Sequence, residues 1–185
     1  LFLCDHHLSY MEAGKINNTH NLLLEVCLAA KYEGQSITRD YPKKYLATYN
    51  DSPSKMCTML ARSFADIGDI IRGKDLFIGY NQKDRNEKKQ LQDSLKNIFG
   101  KIHGKLDSEA KKHYENDTAN YYKLREDWWN ANRKEVWKAI TCKAPKDESY
   151  SKTRVYGTTG VSHERCGHVD QHVPTNLDYV PQYLR

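Results

Sequence analysis

The stretch that decides the fold is Leu60–Leu76, "LARSFADIGDIIRGKDL". Together with Met56 upstream, Leu60, Phe64, Ile67, Ile70 and Ile71 recur at three- and four-residue steps, the spacing of one face of an α-helix. Arg62, Asp66, Asp69 and Arg72 fall on the other side. The pairs Arg62–Asp66 and Asp69–Arg72 sit at i,i+4 and i,i+3, where an exposed helix gains about 0.2–0.5 kcal/mol from each. Carboxylates that work as acid and base are desolvated and poised, whereas an arginine one turn away favours the ionised form. The spacing therefore predicts solvated or packing-related salt bridges rather than a catalytic pair. Gly68 weakens the helix interior and marks a close approach by a neighbouring element, and Gly73 is a C-terminal stop.

Other helices follow on both sides. Residues 19–34, "THNLLLEVCLAAKYEG", are apolar nearly all round, which predicts a helix inside a bundle, ended at Gly34. Residues 83–105 place Leu91, Leu95, Ile98 and Ile102 on one face. A further helix begins near Asp107 and continues, after a kink, to Cys142. Its segment "YYKLREDWWNANRKEVWKAITC" lines up Tyr121, Trp128, Asn132, Val136 and Ala139 as a core stripe. Arg125 is one turn from Trp129 and placed to stack on it. Asn132 must find a hydrogen-bonding partner inside that face. From Lys143 to Thr175, Pro, Gly, Ser and Thr describe a long irregular segment.

Composition limits the function. The chain has 185 residues, is 29% charged and 11% aromatic, and carries thirteen tyrosines. That is one structured unit or a large piece of a longer one, and the abrupt ends are read as those of an excised fragment. No apolar run is long enough for a membrane-spanning helix. Five scattered cysteines, Cys4, Cys27, Cys57, Cys142 and Cys166, suit buried thiols or long-range disulfides. Sequons stand at Asn17, Asn50 and Asn116.

Catalytic signatures are missing. There is no phosphate-binding glycine loop, no dinucleotide fingerprint and no nucleophile elbow. His163, Cys166, His168 and His172 have metal-ligating side chains, but their spacing matches no zinc frame, so neither a metal nor a cofactor is expected. The strongest functional feature is charge. Between Lys83 and Lys112, nine basic residues face five acidic ones within a net charge of +5. Arg85, Lys89 and Lys96 share one helical face, which Lys101, Lys105, Lys111 and Lys112 are expected to extend. Such a surface suits a polyanion. No base-reading motif accompanies it, which points away from nucleic acid and toward sulfated glycans outside the cell.

Three motifs in order, "LARSFADIGDIIRGKDL", "LREDWWNANRKEVWKAITC" and "VPTNLDYVPQYLR", resemble the alpha-class Duffy-binding-like domains of Plasmodium falciparum erythrocyte membrane protein 1. "THNLLLEVCLAAKYEG" and "LCDHHLSY" fit the upstream part. The resemblance implies an all-α, disulfide-stapled bundle with long loops. In it, residues 1–18 end a first subdomain and 19–185 form the central helical one. It also implies the pairs Cys57–Cys166 and Cys27–Cys142, with Cys4 bonded to a cysteine outside the fragment. The implied role is non-enzymatic adhesion at the extracellular face of the infected erythrocyte, as part of a larger membrane-anchored protein. Its partners would be host glycosaminoglycans of the heparan sulfate type and blood-group sugars, in rosetting and cytoadherence. The alternative is docking of a host receptor protein, with the basic face silent.

Overall fold

A computed structural model describes residues 8, 11–41, 54–117, 119–153 and 159–185. Cys4 and the Asn50 sequon lie outside the described residues. The helices are α1 (Thr19–Tyr41), α2 (Ser54–Arg72), α3 (Gln82–Gly104), the short α4 (Ser108–His113) and α5 (Tyr122–Thr141). Two three-residue strands, β1 (Ser151–Thr153) and β2 (Thr159–Val161), pair antiparallel in the irregular segment, and two 3-10 turns, Leu177–Tyr179 and Gln182–Leu184, close the chain. The all-α class holds.

Helices α1, α2 and α5 form the centre, and α3 packs across one end. The decisive stretch folds as its period dictates: Leu60, Phe64, Ile67, Ile70 and Ile71 are all at most 2% exposed. Phe64 makes ring contacts with both Trp129 and Trp137, with centroids 5.1 Å apart in each case. Gly68 admits the neighbour expected of it, since a Cβ there would stand 2.7 Å from the Trp129 ring. Gly73 ends the helix at φ 73°. The tryptophan stripe is core, and Asn132 finds its partner in the Trp128 carbonyl at 2.7 Å.

Three expectations change. Gly34 does not stop α1, which runs on to Tyr41; it is instead the point where α1 and α5 touch, and a Cβ there would lie 1.9 Å from the Ile140 carbonyl oxygen. Helix α1 is not wholly enclosed either. Leu22, Val26, Ala29 and Ala30 are buried, but Leu24 is 57% and Leu28 37% exposed. The helix expected from Asp107 to Cys142 is two helices, and the turn between them brings Tyr121 to φ 55° just before α5. Leu8, Met11 and Ile16, from the segment before α1, belong to the same hydrophobic core as the rest.

The cysteines divide. Cys57 and Cys166 form a disulfide across 109 residues, fastening α2 to the irregular segment. A loop of that length corresponds to about 4.7 kcal/mol in the chain-entropy account. The pair Cys27–Cys142 is not formed; both are free thiols. Helix direction explains this. The start of α1 lies at the end of α3, where Lys105 Nζ donates to the Asn17 carbonyl, and the start of α5 lies there too, with Tyr121 against Gly100. Helices α1 and α5 thus run parallel. Gly34 is level with Ile140, so Cys27 sits nine residues away from the level of Cys142, about 13 Å along the axis. A disulfide needs Cα atoms within roughly 7 Å. Burial and the Glu135 carboxylate push the Cys27 thiol up to about 11.

Candidate functional site

Helix α3 carries the cationic face. It starts where Asn81 accepts the Asp84 N–H at 2.9 Å, and Asp84 in turn accepts the Tyr80 N–H, so the first turn is capped from both directions. Leu91, Leu95, Ile98, Phe99 and Ile102 are buried, which turns the opposite side outward. At about 100° per residue, Arg85, Lys89 and Lys96 fall within an arc of roughly 40°. All three are exposed, and no hydrogen bond or ion pair engages them among the described residues. The acids nearby are Asp93, exposed one turn from Lys89, and Glu87, which faces Lys83 at 3.8 Å.

The other four lysines do not simply lengthen this stripe. Lys101 lies about 140° around the helix from Lys96. Its Nζ donates to the Ala13 carbonyl at 2.5 Å, and Lys105 Nζ donates to the Asn17 carbonyl at 2.6 Å. Both pin the segment that enters α1. Lys111 Nζ donates to the Gly104 carbonyl at 2.9 Å, satisfying the end of α3. Lys112 is exposed. Of the seven cations expected in the site, Arg85, Lys89, Lys96 and Lys112 are exposed with no partner among the described residues.

Beneath the stripe is a group that residue spacing did not reveal. Gln92, between Lys89 and Lys96, donates to the Ile70 carbonyl at 3.1 Å and accepts from Arg125 Nη2 at 2.8 Å. Arg125 is 2% exposed, and the hydrogen bonds it donates go to neutral acceptors: Ile70 and Ile71 carbonyls and Gln92. Burial pushes its guanidinium down to about 10, so it remains a cation at neutral pH. It does not stack on Trp129; it lies over Phe99 and Tyr122, 5.7 and 5.9 Å from the ring centroids. Arg72 takes the place over Trp129 at 5.8 Å.

Of the two pairs expected on α2, Asp69–Arg72 forms at 3.0 Å, as a buried packing bridge rather than a solvated one. Asp69 is 4% and Arg72 1% exposed, and the Arg62–Asp66 pair is replaced by Arg185 across 119 residues, 3.0 Å from Asp66. Arg185 also bonds Asp69, and Arg72 reaches Asp69, Glu126 and the Asp178 carbonyl. Burial raises the Asp66 carboxyl to about 6 despite Arg185, with Asp69 and Asp75 pushing the same way. The three sequence motifs therefore meet in one buried ionic lock. A pair of acids so fully bonded by guanidinium groups serves to hold elements together.

The histidine segment is likewise structural. Cys166 is spent in the disulfide, His168 Nδ1 lies 3.0 Å from Thr141 Oγ1, and His163 pairs with Asp170 at 2.7 Å. A feature absent from the expectations is the extended run after α2. Leu76, Ile78 and Tyr80 alternate outward at 62, 75 and 78% exposure. Asp75 is half-buried and Phe77 stays 37% exposed, both against Lys88, whose Nζ is 2.5 Å from Asp75 and 4.6 Å from the Phe77 centroid.

Helices fastened by a long-range disulfide and an interior ionic lock define an all-α, disulfide-stapled domain. The chain belongs to the Duffy binding domain family, whose model matches residues 1–185. It is similar to the NTS-DBL1(alpha-1) domain of Plasmodium falciparum membrane protein 1, PfEMP1, from the varO strain. That match has 44% identity, a TM-score of 0.85, and covers 98% of this chain and 39% of the other. It is also similar to the PfEMP1 IT4var13 DBLbeta domain solved bound to ICAM-1, with 31% identity, a TM-score of 0.67, and 96% and 39% coverage. The Duffy receptor gamma form of Plasmodium knowlesi is 30% identical over 111 residues, 59% of this chain and 8% of that protein. The chain thus spans well under half the length of these relatives, and they are adhesion proteins rather than enzymes. No helix among the described residues is long and apolar enough to cross a membrane.

Proposed function

We propose that this domain is a host-cell adhesion module that binds sulfated glycosaminoglycan chains of the heparan sulfate type along α3, at the outer face of the infected red cell. The observation that carries this reading is the difference in how cations are used. Lys88, Lys101, Lys105 and Lys111 are each engaged by an acid or a carbonyl, whereas Arg85, Lys89 and Lys96 project from one face with no partner among the described residues. Lysine and arginine so placed give adaptable contacts to sulfates, weakened steeply by salt.

Charge reversal at Arg85, Lys89 and Lys96 is expected to abolish retention on immobilised heparin. The same reversal at Arg62, Lys143 and Lys146, exposed elsewhere, changes net charge equally and is expected to leave most retention in place. Equal losses from both triple variants would mean bulk charge and not a site.

A second reading, docking of a host receptor protein, is favoured by the outward Leu76, Ile78 and Tyr80. Large apolar side chains exposed together are typical of interaction surfaces, and a relative of this fold has been solved bound to ICAM-1. Leu76→Asp with Ile78→Asp separates the two: it is expected to spare heparin binding and to abolish docking on a protein receptor. Neutral blood-group sugars would need a stacking ring with hydrogen-bonding neighbours.

A further inference from the structure

We propose that Tyr122 is the stacking platform on which a pyranose ring of the sulfated chain lies while its sulfates meet the α3 stripe; this rests on the glycan reading above. Tyr122 opens α5 and is 53% exposed. Its inner side is fixed. A Cβ at Gly73 would come 2.8 Å from Tyr122 Cε1, so the ring packs on the glycine backbone, where φ is 73°. The Arg125 guanidinium, 5.9 Å from the centroid, also borders it. A ring backed in this way offers solvent a flat apolar face with part of its freedom already removed, which lowers the entropic cost of binding.

Position links the ring to the stripe. Arg125 touches both Tyr122 and Gln92, and Gln92 is one turn from Lys89 and one turn from Lys96. Two side chains, Arg125 and Gln92, joined by a 2.8 Å hydrogen bond, thus lie between the ring and the helical turns that carry the cations. Arg125 adds a permanent positive charge with only neutral acceptors bonded to it, beneath the point where an anionic sugar would sit. Two different contributions result. The lysines and Arg85 supply salt-dependent attraction, while Tyr122 supplies salt-independent contact with the sugar ring. Tyrosine also explains how a charged stripe would distinguish a sulfated sugar from a bare polyanion.

The test is calorimetric titration of a heparin-derived octasaccharide, and separately of polyphosphate, over a range of salt. Tyr122→Ala is expected to weaken octasaccharide binding about tenfold, leaving the slope of log K against log salt unchanged and polyphosphate affinity unaltered. Tyr122→Phe is expected to keep wild-type affinity. Lys89→Ala, in contrast, lowers the slope for both ligands. Octasaccharide binding that survives Tyr122→Ala, or an equal loss for polyphosphate, overturns the platform and leaves the stripe standing. Wild-type protein that binds no octasaccharide overturns the stripe and the platform with it.

Discussion

Arg133 grips Asp178 by two parallel bonds, Nε to Oδ2 at 2.8 Å and Nη2 to Oδ1 at 2.7 Å, joining the middle of α5 to the 3-10 turn near the chain end. The carboxylate is wholly buried and also accepts from Trp129 Nε1 at 2.9 Å. Bidentate geometry with every acceptor used is the condition under which a buried ion pair holds a structure. Asp178→Ala strands Arg133 and the indole N–H, and is expected to cost about 3–5 kcal/mol in denaturant unfolding. Asp178→Asn, which keeps one acceptor, is expected to cost less.

Close backbone approach makes a second expectation. Gly34→Ala places a methyl group 1.9 Å from the Ile140 carbonyl oxygen, against backbone that cannot rotate away. Gly68→Ala meets the edge of the Trp129 ring at 2.7 Å. Both are expected to destabilise by at least about 1–3 kcal/mol, with Gly34→Ala the worse. Thermal melts that rank them the other way would show that α1 yields more easily than the indole.

Thiol chemistry checks the helix directions. Alkylation of denatured but unreduced protein is expected to label Cys27 and Cys142 and to spare Cys57 and Cys166. In the native state Cys27, raised to about 11, is expected to react slowly even in mild alkali. A peptide map that joins Cys27 to Cys142 would contradict the parallel register of α1 and α5.

The Asp66 carboxyl sets a pH dependence with a definite sign. Its native value, about 6, stands above the ordinary aspartate value near 3.9. The native state therefore holds this proton more tightly than the unfolded state. The stability it contributes is complete below about pH 4 and is lost as pH rises through about 6. Asp66→Asn removes that dependence. Relative to wild type, the variant is expected to gain roughly 1–3 kcal/mol between pH 4 and pH 7. A difference that stays flat, measured by urea midpoints at the two pH values, would place Asp66 in water.

The apolar logic of the domain could be read from residue order, because periodicity reports which side of a helix is dry. Gly68 and Gly73 were legible for the same reason: each needed a specific neighbour or backbone angle. Charge was misleading. Asp69, Arg72 and Arg125 look like surface residues to any local rule, yet they are buried because Asp178, Arg185 and Gln92 reach them from distant sequence. Spacing along one helix cannot reveal partners on other elements, from 33 to 116 residues away. The Cys57–Cys166 bridge came from resemblance, and the same reasoning failed for Cys27 and Cys142, where the level of each cysteine along its helix decides. At the site, the stripe of Arg85, Lys89 and Lys96 was visible as a face of α3. The departure of Lys101 and Lys105 follows from the helical angle alone.

The central claim is that the three exposed cations of one α3 face, without partners among the described residues, hold a polyanionic glycan, and its most direct test is the salt dependence of heparin binding. Replacing Arg85, Lys89 and Lys96 together by alanine is expected to flatten the slope of log K against log salt by about 2–3, one increment near 0.7–0.9 for each lost charge. An unchanged slope, with wild-type affinity retained, would contradict the account.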